Sequence, residues 1–196
     1  MKDRKKAQAE RLERKKNPKK KTRNIADSDG IRGVELLTSK LKKEIFEYGK
    51  LYYGENADEL IQFADELSTN NTGYMSTFDV LYINTDVMPG KLNTANSRLS
   101  WKAAIAHELE GHRLASLNNK TFFDGELSLD VNDLLEEIQA SIRASKNGKG
   151  LSVSERKDLL EDASERFHNH KRILAGTKYE NLTFNEIIEK LWTIKH

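Results

Sequence analysis

The sequence predicts an α+β domain, predominantly α-helical, with a small sheet packed against a helix that carries two histidines. Three observations predict it. Apolar residues recur at helical spacing through most of the chain after Val34. One run, Thr77-Phe78-Asp79-Val80-Leu81-Tyr82-Ile83-Asn84, is rich in β-formers and bounded by turn residues. His107, Glu108 and His112 fall inside one of the amphipathic helical segments, not in a loop.

A basic arm precedes the domain. Residues 1–23 hold twelve Lys or Arg against three Asp or Glu, whereas the rest of the chain holds 21 against 28. The net charge of +2 therefore conceals a basic leader on an acidic domain. Within the leader only Leu12 could anchor a helix, Asn17-Pro18 interrupts the run, and Asp27-Ser28-Asp29-Gly30 marks a turn. Residues 1–33 thus read as a disordered arm, serving as a linker or as a tether to nucleic acid or another anionic surface. The arm lacks interleaved aromatics, so any nucleic-acid binding through it should be nonspecific. No apolar run is long enough to span a membrane, and the basic start lacks the apolar stretch of a secretory signal. These features predict a cytoplasmic protein or one exported within a larger polypeptide.

The domain occupies residues 34–196. Leu36, Leu37, Leu41, Ile45, Tyr48 and Tyr52 follow helical spacing, and Gly54 ends that run. Residues 57–67 form a second expected helix, with Leu60, Ile61, Ala64 and Leu67 on one face. The β-rich run at 77–84 follows, with a possible partner strand at 73–76, and Pro89-Gly90 closes the region. Helices are then expected from about Ser100 to Ser116 and from about Ser128 to Lys146. Two capping boxes, Ser152-Val153-Ser154-Glu155 and Thr183-Phe184-Asn185-Glu186, start the last two helices.

The chemistry concentrates at His107-Glu108-Leu109-Glu110-Gly111-His112. The chain has no cysteine, so a metal must be held by imidazole and carboxylate. Two histidines four residues apart share a helix face and hold one zinc ion, but here the second lies five residues on. On a regular helix that spacing sets the imidazoles about 140° apart, against about 40° for the shorter one. A π-bulge widens one turn to five residues and restores alignment. Gly111, costly in a regular helix, has no Cβ to obstruct such a turn.

A catalytic zinc usually takes three protein ligands and keeps one position open. The next helix offers Glu136 and Glu137. Its apolar stripe is Leu127, Val131, Leu134, Leu135, Ile138 and Ile142; Glu136 points away from it, among Asn132, Gln139 and Arg143. Glu137 lies at the stripe's edge beside Ala140, Ser141 and Ala144, whose small side chains permit close helix approach. The expected metal ligands are therefore His107, His112 and Glu137, holding Zn2+, with Glu108 as the water-activating base.

The stretch HELEGH at 107–112, with EEIQAS at 136–141, resembles the signature of dipeptidyl peptidase III, a gluzincin-type zinc metallopeptidase with an HExxxH motif. The resemblance implies a zincin-like fold, with the same three ligands and the same base. It covers these two helices only, and Ser141 stands where that family has an acidic residue. A wider likeness, over roughly residues 75–170, is to the C-terminal domains of bacterial polymorphic toxins of the Rhs type. That likeness implies a zincin-like toxin domain with a cognate immunity protein as partner.

The expected activity is zinc-dependent hydrolysis of a peptide bond in a peptide or protein substrate. The 77–84 strand is the expected platform for an extended peptide. Tyr74, Tyr82, Arg98, His168 and His170 are candidate transition-state donors, the two histidines fitting a solvated helix better. Two alternatives are a nonenzymatic zinc-stabilised interaction module and a nucleic-acid or anionic-surface binder acting through the arm.

Overall fold

The computed structural model describes residues 32–33, 36–64 and 71–193. Residues 1–31 of the arm expected over 1–33 lie outside the described residues. The arm's last two residues, Arg32 and Gly33, are docked on the domain. Arg32 donates to the carbonyls of Asp86 (2.6 Å), Val87 (2.7 Å), Leu99 (3.0 Å) and Asn96. Gly33 N–H donates to the Met88 carbonyl at 2.9 Å.

Helix α1 (Ser39–Tyr53) starts where Thr38 accepts the Leu41 N–H, and stops at Gly54, whose φ of 60° suits glycine. The helix expected over 57–67 does not form across its described part, residues 57–64; residues 65–67 lie outside the described residues. Only α2 (Ala57–Leu60) is helical, and the chain turns into strand β1 (Ile61–Phe63). The shared apolar face that suggested a helix serves another purpose. Ile61 packs against Gly49 of α1, where a Cβ would not fit, and Ile61, Gln62 and Phe63 pair in parallel with Leu81, Tyr82 and Ile83.

The β-rich run at 77–84 is shorter than expected. Strand β3 (Val80–Ile83) takes its second half, while residues 76–79 turn back toward β2 (Gly73–Met75). Asp79 closes the turn at φ 54°, held there by two bonds from the Arg113 guanidinium, 2.7 and 2.9 Å. The sheet order is β1-β3-β2, with β2 antiparallel to β3. The strand expected as a peptide platform is thus the middle one, its backbone already paired on both sides. Among the described strands, β1 and β2 are the outer ones.

A short helix, α3 (Ala95–Arg98), leads into one continuous helical rod: α4 (Trp101–Ala106), a π segment (His107–Arg113) and α5 (Leu114–Leu117). Ser100 caps the rod by accepting from Ala103 N–H at 3.1 Å. Helix α6 (Leu129–Asn147), capped by Ser128, is the central element, with α7 (Val153–His170), the π segment and α8 (Phe184–Thr193) packed around it. Val131, Asn132 and every residue from 134 to 144 are buried. A helix buried all round but half polar must satisfy its polar groups internally.

Two apolar clusters flank that polar interior. One gathers α1, the sheet and α4 around Ile45, Leu81, Ile105 and Leu109. The other gathers α6, α7 and α8 around Leu135, Ile138, Phe167 and Ile187. The architecture is α+β and predominantly helical, with the polar face of the π segment at the seam. Among the described residues no helix is long and apolar enough to cross a membrane.

Candidate metal centre

The i, i+5 spacing is accommodated by more than a single-residue bulge. All seven residues from His107 to Arg113 are π-helical, and both histidines are buried. Their Nε2 atoms face each other at 3.0 Å. Glu137 of α6 completes the group, with its Oε2 3.2 Å from His107 Nε2 and its Oε1 3.7 Å from His112 Nε2. Tetrahedral ligands with bonds of about 2.0–2.2 Å stand about 3.3 Å apart. The two histidine nitrogens and the Glu137 carboxylate approach that spacing, and the three residues form a buried group able to hold a metal ion.

Gly111 has a task besides easing the widened turn. A Cβ there would come within 2.7 Å of the Ala140 Cβ and carbonyl oxygen, and 2.8 Å of its Cα. The glycine therefore sets how closely the π segment approaches α6, and so how near Glu137 comes to the histidines. Arg143 reinforces this approach by donating to the carbonyls of Gly111 (3.5 Å) and Lys120.

Glu136 does not point away, as its helical angle suggested. It is buried, and its Oε1 accepts from His112 Nδ1 at 2.5 Å. Asn132, Gln139 and Arg143, which share its face, are buried too. That face is polar because it meets other polar groups of the protein, not solvent: Glu136 and Arg143 reach the π segment, Gln139 donates to the Leu191 carbonyl of α8, and Asn132 bonds the segment leading into α6. With Nδ1 committed as a donor to a carboxylate, neutral His112 presents a lone pair at Nε2.

Ser141 links His107 to an acidic residue of another helix. Ser141 Oγ lies 3.0 Å from His107 Nδ1 and donates to Asp162 Oδ2 of α7 at 2.7 Å. Arg166, one turn further along α7, donates to the same Asp162 oxygen at 2.8 Å and stands 3.3 Å from Glu137 Oε2. Sequence reasoning missed Glu136, Asp162 and Arg166. Asp162 and Arg166 could have been found as an i, i+4 charge pair lying among Leu159, Ala163 and Phe167, the apolar face of α7.

Three buried carboxylates thus meet two buried guanidiniums, Arg143 and Arg166. An unpaired buried charge costs several kcal/mol, so the excess negative charge needs a cation. Without a metal, a proton on His112 supplies it. Burial opposes that charge, but Glu136 and Glu137 outweigh burial and push the imidazole up to about 10. Burial likewise opposes ionisation of Glu137, yet His112, His107 and Arg166 hold its carboxyl well below the usual range. Asp162 is lowered against its own burial by Arg166, His107 and Ser141. A divalent cation among the three ligands answers the same charge imbalance.

Glu108 lies on the sheet side of the π segment. Its Oε2 accepts from the Tyr74 N–H of edge strand β2 at 2.8 Å, and Arg113 grips Asp79 beyond the strand's other end. The hairpin is therefore clamped along the π segment by both residues. The proposed transition-state donors are dispersed. Tyr74 interacts with Asp79 and Ser116, and burial pushes its phenol up to about 12. Arg98 pairs with Glu161 at 2.7 Å on α7, and His168 is exposed and donates to the Ser164 carbonyl at 2.7 Å. Tyr82 sits in mid-sheet on β3, and His170 ends α7.

No protein-family model, curated protein or solved structure matches this chain. The functional reading rests on the site itself.

Proposed function

We propose that the chain is a zinc-dependent peptidase of zincin type, hydrolysing a peptide bond in a peptide or protein substrate. The observation that carries the proposal is the π segment. It turns His107 and His112 toward Glu137 and sets Glu108, from the same turn, against the outer edge of β2. A zinc ion in a His2Glu site with an open position supplies Lewis acidity toward water and a substrate carbonyl. Glu108 Oε2 is tied to Tyr74, which leaves Oε1 to take the water's proton and return it to the leaving nitrogen.

The likeness to polymorphic-toxin domains extends the proposal: a domain released from a larger parent, with an immunity protein as its partner. The basic arm would then be linker.

One observation favours the nonenzymatic alternative. His107, His112 and Glu137 are only 6–8% exposed, as ligands of a metal that merely joins two helices would be. Glu108→Gln separates the two readings. Incubation of zinc-loaded protein with a randomised peptide library, read by mass spectrometry, should show cleavage by the wild type. The variant should bind zinc equally and cleave nothing. A structural module gives no cleavage by either protein.

A further inference from the structure

The metal reading requires a lone pair at His107 Nε2, and the structure contains a device that enforces it. A neutral imidazole carries one proton, and whichever nitrogen donates leaves the other as the acceptor. Ser141 has a single hydroxyl hydrogen and is wholly buried between His107 Nδ1 and Asp162 Oδ2. Arg166 Nε donates to that same Asp162 oxygen, which marks Asp162 as an acceptor-only carboxylate. The serine proton must therefore point to Asp162. The Ser141 oxygen can then only accept from His107, so Nδ1 bears a proton and Nε2, which faces Glu137 and His112, is the nitrogen left for a metal.

We propose that Asp162 is a positioning residue of the metal centre, acting through the Ser141 hydroxyl to fix His107 as the Nδ1–H tautomer. The inference rests on the metal-site reading above. It gives α7 a defined part in a site whose ligands all come from the π segment and α6. It also explains how serine serves where the resembled family has an acidic residue. The acid has moved to a neighbouring helix, with the hydroxyl bridging the gap. Arg166 ties the relay to the site's other half by contacting Glu137.

Asp162→Asn is the informative change, because it keeps the shape and reverses the logic. An amide can donate to Ser141, whose proton is then free to turn to His107 Nδ1 and drive the imidazole proton onto Nε2. Ser141→Ala breaks the relay and leaves the Asp162–Arg166 pair intact, so it reports even if the asparagine variant folds poorly. Zinc affinity should be measured by chelator competition on the full chain. Histidine tautomers should be read from long-range 15N–1H correlation spectra of the metal-free protein.

The expected result is a roughly 10–100-fold loss of zinc affinity in both variants. The wild-type His107 pattern should be that of Nδ1–H, shifting toward Nε2–H in Asp162→Asn. Zinc affinity within twofold of wild type in both variants would overturn the proposal while leaving the metal site standing. So would an Nε2–H His107 in the wild type. A wild type that binds no zinc at all would overturn the metal reading and this proposal with it.

Discussion

The tightest contact at the site makes the sharpest prediction. Gly111→Ala places a Cβ 2.7 Å from the Ala140 Cβ and carbonyl oxygen, where ordinary contact begins at 3.4 Å. To make room, α6 and the π segment must separate by about 1 Å, and Glu137 lies one turn of α6 from Ala140. Metal–ligand distances tolerate only about 0.2 Å, so that retreat pulls Glu137 out of range. Overpacking of this kind costs about 1–3 kcal/mol. If the strain is relieved at the site, zinc affinity falls about 10–100-fold, since each 1.4 kcal/mol is tenfold. Urea unfolding of metal-free protein and chelator competition measure the two effects. Gly125→Ala is the control, because its nearest neighbour is 4.0 Å away. The sign decides the matter. Were the space beside Gly111 open, alanine should be neutral or stabilising by about 0.5–1 kcal/mol, as in other helix interiors. Stability and zinc affinity equal to wild type would refute the packing argument.

Three further outcomes are expected. In the metal-free protein His112 has a folded pKa of about 10 against 6.5 unfolded, so its contribution is complete below about 6.5 and is lost as pH rises to 10. Urea midpoints should therefore fall between pH 7 and 10 in the wild type, and that decline should be absent from His112→Gln. Asp79→Ala strands the buried Arg113 guanidinium and frees the hairpin, at a cost of up to about 3 kcal/mol by chemical denaturation. Ser152→Ala removes the N-cap of α7 and should cost about 1 kcal/mol, again by denaturation, with no change in zinc affinity.

The clustering of His107, His112 and Glu137 was legible in the sequence because the bulged spacing and the small-residue face each limited the choices. Residues five apart can meet only if the helix is widened, and Glu137 adjoins Ala140, where α6 and the π segment come closest. Glu136 was misplaced for a physical reason. Helical periodicity separates apolar from polar faces, and it identifies the polar one with solvent. On α6 both faces are buried, and the polar one holds the site. Asp162 and Arg166 read as an ordinary surface pair until α7 is known to stack on α6. The misreading at 57–67 is of another kind. Leu60, Ile61, Ala64 and Leu67 fit a helical face, but pairing of Ile61 with Leu81 outweighs local propensity. Boundaries at capping residues fared better: Ser100, Ser128 and Ser152 each begin a helix where a side-chain oxygen accepts a backbone N–H.

Metal analysis of the purified full chain, beside His112→Ala and Glu137→Ala, tests the central claim most directly. One zinc per wild-type chain, lost from both variants while each stays folded, is the predicted result. Zinc retained in full by both variants, or a wild type that takes up none, would contradict it.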